Sequence, residues 1–190
     1  MRDRIDAALE VWAPTADALA RGEQIFELLP GAGNDLRELR HEEFWIVPAW
    51  EGDERRLTEP YQDRLRALLD LRHDDGRTRL GYCATAEYLQ SLQGPEDLRA
   101  LDGDHTLSSS GVRALFDEAP DGRVSLMVLR VRERAEAVVL PAGAVEEAGG
   151  RWCTLSEPLP LGEAGPVVPR DRFLSRKARL LQRTGMLRAV

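Results

Sequence analysis

The chain has 190 residues, of which 43% are hydrophobic and 31% are charged, and its formal net charge at pH 7 is −7. This length favours one domain with a buried core, and the composition excludes a disordered chain. No apolar run reaches the roughly 20 residues that cross a bilayer, and the charged N-terminus lacks the apolar segment of a secretory signal. We therefore expect a cytoplasmic protein without a membrane span.

The first part of the chain predicts two helices and a strand. Apolar residues recur at helical spacing over residues 5–12, which predicts a helix. Thr15 offers an N-cap for a second helix that runs to Leu29. The aromatic and β-branched run at 44–50 predicts the first strand.

The middle of the chain predicts an alternation of helices and strands. In order, we expect a helix at 61–69, a strand at 77–84, a helix at 86–93 capped by Thr85, a short helix that opens at Pro95, and a helix at 112–116 capped within the serine run 108–110.

The last part of the chain predicts three strands and two helices. In order, we expect a strand at 124–131, a connection at 132–134, a strand at 136–140, a short helix at 141–148, a strand at 151–155, and a helix from Asp171 to about Arg183. Together the elements predict a mixed α/β (α+β-like) domain with a single mixed sheet of about four to five strands, covered by helices. The predicted boundaries are an α/β domain over 1–157, a Pro/Gly-rich connection over 158–169 and a basic C-terminal helix over 170–190.

No segment carries a recognisable catalytic or metal-binding motif. The glycines at 31 and 33 follow a predicted helix, whereas a dinucleotide-binding loop follows a strand, and no GxSxG or phosphate-loop pattern occurs. The three histidines lack metal-ligand spacing, and Cys83 and Cys153 belong to no CxxC pair, so we expect them to be buried, reduced thiols. We expect no cofactor and no metal, and we assign no catalytic residue.

The charge is divided unevenly along the chain. From Arg170 to the C-terminus there are seven bases and one acid, a net charge of +6, so the rest of the chain carries −13. This segment predicts a basic amphipathic helix that docks on the acidic body, binds an acidic protein or nucleic acid, or lies on a membrane surface. The candidate binding residues are Trp45 and Trp50 of the aromatic strand, and Arg172, Arg176, Lys177, Arg179 and Arg183 of the tail.

The order of elements resembles one known family. An aromatic strand at 44–48 precedes a charged insert. A second strand then runs directly into a Thr85-capped helix within the stretch 82–89, and a helix at 112–116 precedes a strand at 124–129. This order is similar to that of the SseB amino-terminal domain family, which consists of small bacterial α/β domains. The resemblance implies a non-enzymatic binding or accessory role.

The leading hypothesis is a non-catalytic bacterial accessory protein that binds another protein through its basic C-terminal helix or its aromatic strand edge. One alternative is an enzyme whose site is assembled from Cys83, His73 and His105, and a deep pocket holding at least two of them would favour it. Another is a nucleic-acid-associated factor that uses the arginine-rich tail. The sequence does not determine the oligomeric state, and a homodimer is one of the states that it allows.

Overall fold

The computed structural model describes residues 4–31, 39–70, 76–92, 94–119 and 122–185. They form a mixed α/β domain with one eight-stranded sheet, so the predicted class is confirmed and the predicted four to five strands are too few. The elements are β1 (Arg4–Trp12), α1 (Ala13–Ala20), β2 (Phe26–Pro30), β3 (Glu43–Ala49), α2 (Glu59–Leu69), β4 (Thr78–Leu92), α3 (Pro95–Arg99), α4 (Ser109–Glu118), β5 (Val124–Leu140), β6 (Val145–Gly149), β7 (Trp152–Pro160), β8 (Ala164–Pro166) and α5 (Arg170–Arg183). No helix in these ranges is long and apolar enough to cross a bilayer.

The sheet has the strand order β2-β5-β4-β3-β1-β7-β6, and β8 pairs with β5 outside this path. Among the described strands, β1 and β3 pair in parallel and the remaining pairs are antiparallel. The long strands β4 and β5, with 15 and 17 residues, pair along most of their length. This long pair connects the central strands to β2 at one end of the sheet.

The helix predicted over 5–12 is wrong, because these residues form β1. The strand lies between β3 and β7, and Ala8 and Leu9 are both fully buried. A strand that is covered on both faces need not alternate between apolar and polar residues. The apolar positions of β1 therefore imitate a helical period. The second predicted helix is also too long, since α1 ends at Ala20 and β2 follows.

The helix predicted after Thr85 is wrong as well, because β4 continues to its end at Leu92. A shift in register between Ala86 and Tyr88 inserts a bulge into the pairing with β5. The bulge leaves Ala86 and Leu89 buried at a spacing of three residues, which resembles a helix. The break predicted at 132–134 is absent, since β5 is continuous and these residues pair with β4 and β8.

The helix predicted at 141–148 is replaced by β6, which forms a hairpin with β7. Gly149 and Gly150 at this turn have φ angles of 110° and 63°, which glycine adopts without strain. The predictions for β3, α2, α3, α4, the start of β7 and α5 are confirmed. In α4, Ser108 is the N-cap, as expected from the serine run, and its hydroxyl accepts a hydrogen bond from the Gly111 N–H. The stretch 158–169 contains the end of β7 and all of β8, and the predicted domain boundaries stay a prediction.

The buried apolar residues form two clusters. The first lies among β1, β3, β4, β5 and β7, with Trp45 and Phe44 as its large fully buried side chains. The second lies where β2 and the adjoining ends of β4 and β5 are covered by α3, α4 and α5. Phe173, Leu180 and Leu181 bring α5 into this second cluster. The C-terminal helix is thus docked on the domain.

The sheet curls until its two ends approach each other, and Arg151 connects them. This residue lies in the turn between β6 and β7, and its Nε donates a hydrogen bond to the Glu10 carbonyl of β1 at 2.8 Å. Its Nη1 donates to Oε1 of Glu27 at 2.8 Å and to the Leu28 carbonyl at 3.0 Å, both on β2. Glu27 is only 5% exposed, so Arg151 also neutralises a buried carboxylate.

We predict that Arg151→Gln lowers the free energy of unfolding by about 2–4 kcal/mol at pH 7, because it leaves the Glu27 carboxylate buried without its cation. Urea denaturation measures this loss. Adding Glu27→Gln to Arg151→Gln removes the uncompensated charge and should restore part of the stability. Arg79→Gln, at an exposed position of β4, is the control and should change stability by less than about 0.5 kcal/mol. Equal losses in the single and double variants would contradict the explanation.

Candidate functional site

The candidate site is a cleft of about 300 Å³ beside β2, framed by α1, the segment 49–56 and the segment 105–107. We call it the Glu27 cleft. Seven polar or charged residues are buried in the described part of the chain, and five of them line this cleft. These five are Thr15, Gln24, Glu27, His105 and Thr106. A protein interior seldom gathers so many polar side chains without a role for them.

Glu27 is the second residue of the apolar strand β2, and its neighbours Phe26 and Leu28 belong to the second apolar cluster. Its Oε1 accepts the hydrogen bond from Arg151, and its Oε2 is buried without a hydrogen-bond partner. Burial raises the pKa of the Glu27 carboxyl, and the charge and hydrogen bond of Arg151 oppose this shift. Arg151 favours the ionised form of Glu27, in which the free oxygen can accept a hydrogen bond.

Trp12 supplies an unused donor to the same cleft. Its Nε1 is buried and has no hydrogen-bond partner. The backbone of Gly52 covers the indole so closely that a Cβ at this position would lie 2.6 Å from Cε2 of Trp12. Glycine at position 52 therefore allows the loop to hold the indole in place at the cleft wall.

The remaining buried polar side chains hold the walls together. The hydroxyls of Thr15 and Thr106 are 2.8 Å apart and share a hydrogen bond between α1 and the segment 105–107. Gln24 donates to the Phe26 carbonyl at 2.7 Å and accepts from the Thr106 N–H at 3.2 Å. These bonds satisfy the threonines and the glutamine internally, which leaves Glu27 and Trp12 with hydrogen-bonding capacity for a bound molecule.

His105 is a buried imidazole at the edge of this network. It is 5% exposed, neither ring nitrogen makes a hydrogen bond of normal length, and the Asp102 carboxylate is 3.7 Å from Nε2. Burial lowers the pKa of His105, and Asp102 together with the backbone at Leu98 and Leu107 offsets part of the shift. His105 is therefore neutral at pH 7.

The rim of the cleft is acidic. Its lining contains four carboxylates and two arginines, namely Glu10, Glu27, Glu51 and Asp53 with Arg56 and Arg151. The hydrogen bonds from Arg55 lower the pKa of Asp53 to about 2, so this carboxylate is ionised. Arg56 donates to both oxygens of Glu118, outside the cleft, and Arg151 is held by Glu27 and two carbonyls. The acidic rim therefore favours neutral or cationic molecules over anions.

The C-terminal helix buttresses both loops that flank the cleft. Arg176 donates to the carbonyls of Gly22 and Glu23, next to Gln24, and Arg183 pairs with Asp104, next to His105. The other predicted tail residues divide into two groups. Lys177 bonds to the Glu87 carbonyl at 3.0 Å, while Arg172 and Arg179 are exposed.

The structure separates the two predicted tryptophans. Trp45 is fully buried in the first apolar cluster, and its Nε1 donates to the Ile5 carbonyl at 3.1 Å. Trp50 is half-buried and lines a separate groove of about 670 Å³ between α1 and β4. Neither residue lines the Glu27 cleft.

The scattered Cys/His site is only partly covered by the described residues. Cys83 is fully buried, and burial raises the pKa of its thiol. His105 lines the Glu27 cleft and Cys83 does not, while His73 lies outside the described residues. Within the described ranges, no three potential ligands are placed to hold a metal ion.

Cys83 and Cys153 are both free and buried. Their strands are connected by register, because Cys153 pairs with Ala8, Ala8 with Trp45, and Trp45 with Cys83. Three strand spacings amount to about 14 Å, well beyond the roughly 7 Å that a disulfide spans. Burial raises the pKa of Cys153 to about 11, as expected for an unreactive thiol.

Sequence reasoning missed Glu27 and Trp12. Both lay in segments interpreted as helices, where Glu27 passed for one of 33 acids and Trp12 for part of an apolar stripe. The available signal was a single carboxylate inside the apolar run 25–29. A charged residue in such a run is buried with a partner or exposed on a helix, and only the strand assignment decides which.

Comparison with known proteins identifies the family. The model of the family "domain of unknown function" DUF1802 matches residues 8–179, and the chain belongs to this family. The resemblance to the SseB family is therefore wrong, and the helix after Thr85 on which it rested is part of β4. No curated protein matches the sequence. Among solved structures, the chain is similar to a mutant of the ZmASCH protein from Zymomonas mobilis, with 14% identity, a TM-score of 0.46, and coverage of 95% of this chain and 99% of that one.

The lowered pKa of His105 predicts sensitivity to acid. The unfolded chain binds the proton more readily, so the contribution of His105 is fully present above about pH 6.5 and is lost as the pH falls toward the lowered pKa. We expect the stability advantage of the native protein over His105→Gln to shrink below pH 6.5 by up to about 1.4 kcal/mol per pH unit.

Urea denaturation at pH 7.5 and 5.5 measures this difference, and His41→Gln, at a half-buried position, serves as the control for loss of a histidine. A difference between native protein and His105→Gln that stays constant across this interval would exclude a buried neutral imidazole.

Proposed function

We propose that this protein is a binding domain for a small polar molecule, which it holds in the Glu27 cleft. The observation that carries the proposal is the concentration of five of the seven buried polar residues of the described chain around one concavity. A volume of about 300 Å³ suits a molecule of about the size of an amino acid or a nucleobase.

The arrangement has the two parts that a specific site needs. The Thr15–Thr106 and Gln24–Thr106 hydrogen bonds hold the walls, so little ordering is left to occur on binding. Glu27 and Trp12 then present an acceptor and a donor whose bonding capacity the protein does not use. Buried groups of this kind contribute strongly to selectivity, because a molecule that fails to satisfy them leaves them unpaired.

The test is retention of small molecules. Purified full-length protein is incubated with a small-molecule extract of bacterial cells, separated by gel filtration and denatured, and the released compounds are identified by mass spectrometry. We expect a compound that the native protein retains and Glu27→Gln loses. The matched control is Glu146→Gln, which makes the same change at an exposed position of β6 and should retain it. Identical profiles for all three proteins would refute the proposal.

A second candidate function is the binding of an acidic partner, protein or nucleic acid, by the outer face of α5. Arg170, Arg172 and Arg179 are exposed there, and Leu174 is 46% exposed beside them. Removal of the whole helix is an unsuitable test, because Phe173, Leu180 and Leu181 belong to the second apolar cluster. Point substitutions on the exposed face avoid this problem.

If the acidic partner is a nucleic acid, we expect the full-length protein to bind a single-stranded or duplex oligonucleotide. The affinity should fall steeply as the salt concentration rises from about 50 to about 200 mM. The double variant Arg172→Gln/Arg179→Gln should reduce the salt slope by about 2, or about 1 for each arginine. Arg79→Gln/Arg113→Gln, which alters two exposed arginines elsewhere, is the control. If no oligonucleotide binds at the lower salt concentration, the nucleic-acid form of this candidate is excluded. A protein partner is then sought by capture from nuclease-treated lysate with the same variants.

A further inference from the structure

The hydrogen-bonding pattern of the Glu27 cleft restricts the chemistry of its ligand. Oε1 of Glu27 is occupied by Arg151, and Oε2 is buried and unpartnered. With Glu27 held in its ionised form by Arg151, this oxygen accepts hydrogen bonds and donates none, so it requires an N–H or O–H group on the bound molecule. An anion placed there would meet the carboxylate without a donor to offer.

Trp12, which also lines the cleft, imposes the opposite requirement. Its Nε1–H is a donor without an acceptor, and the indole has no acceptor of its own. A carbonyl oxygen on the bound molecule would satisfy it. The two unused groups together match a ligand that carries both N–H donors and a carbonyl, as an amide does.

The charges around the cleft agree with this reading. Four carboxylates and two arginines line it, and both arginines already donate to groups of the protein, namely Glu118 for Arg56 and Glu27 with the Glu10 and Leu28 carbonyls for Arg151. Asp53 is likewise paired with Arg55, so the excess negative charge comes from Glu10 and Glu51, and it favours a cation over an anion.

We propose that the Glu27 cleft selects small molecules that bear an amide or amidine group, with N–H directed at Glu27 and, in amides, the carbonyl directed at Trp12, and that it rejects carboxylates of the same shape. This inference rests on the proposed function of the cleft as a small-molecule site. It adds the class of ligand and the role of each of the two residues.

Three probes of nearly equal shape test the class of ligand. Benzamidine is a cation with donors only, benzamide is neutral with donors and a carbonyl, and benzoate is an anion with acceptors only. Each is titrated into the ¹⁵N-labelled full chain while the indole N–H signals are followed by NMR. Trp12→Phe identifies the Trp12 signal, and the Trp45 signal, whose donor is bound to the Ile5 carbonyl, is the internal reference.

We expect benzamide and benzamidine to shift the Trp12 signal saturably, with the Trp45 signal unchanged and benzoate without effect. Glu27→Gln should weaken benzamidine at least about tenfold, since it removes a charge-assisted hydrogen bond. Glu146→Gln, at an exposed position of β6, is the control and should respond to each of the three probes as the native protein does. Trp12→Phe, followed by the ligand's own NMR signals, should weaken benzamide and spare benzamidine, which has no carbonyl. This second variant keeps the test decisive if Glu27→Gln fails to fold.

The outcomes separate the two proposals. Benzoate binding as tightly as benzamidine would overturn the class of ligand and leave the cleft as a binding site. Equal effects of Trp12→Phe on benzamide and benzamidine would overturn the role given to Trp12. The absence of binding by all three probes would overturn the class of ligand, and the retention experiment would decide separately whether the cleft binds another molecule.

Discussion

The hydrogen bonds of Arg151 are the interaction on which the rest of the site depends. A sheet with β2 at one end and β6 at the other has no covalent reason to bring these ends together. Arg151 does so from the β6–β7 turn by donating to β1 and β2 at once. The same contacts permit a carboxylate inside the apolar strand β2, which would otherwise be too costly to ionise there. The same hydrogen bonds of Arg151 thus bring the ends of the sheet together and allow a buried carboxylate in the cleft.

The buried polar residues of the cleft fall into two groups, those that hold its walls rigid and those that have a polar group without a hydrogen-bond partner. Thr15, Gln24 and Thr106 use their hydrogen bonds on one another and fix the walls. Glu27 and Trp12 each have one buried polar group without a hydrogen-bond partner in the protein. Buried polar groups without partners reduce stability, whereas a bound molecule that pairs with them recovers that cost as affinity. The arrangement is the one expected where selection acts on recognition as well as on folding.

Local chemistry made several elements predictable from the sequence, and tertiary pairing decided the others. The serine cap of α4, the proline at the start of α3 and the amphipathic pattern of α5 depend on residues within a few positions, and the structure bears them out. In β1, the 85–92 part of β4, and β6, the spacing of apolar residues reflects burial on two faces, a bulge and a glycine hairpin, none of which a local window reveals. These errors are also why the candidate site was missed, because Glu27 and Trp12 are recognisable as buried site residues only when β2 and β1 are assigned as strands.

The contacts of α5 carry a thermodynamic consequence. Arg176 and Arg183 fasten the helix to the residues adjoining Gln24 and His105, so the position of α5 and the shape of the cleft are parts of one equilibrium. A partner that drew α5 outward would break these contacts and alter the affinity of the cleft by some factor. Linkage requires a molecule in the cleft to alter the partner's affinity by the same factor. The basic helix and the polar cleft would then communicate across the second apolar cluster as two coupled binding sites.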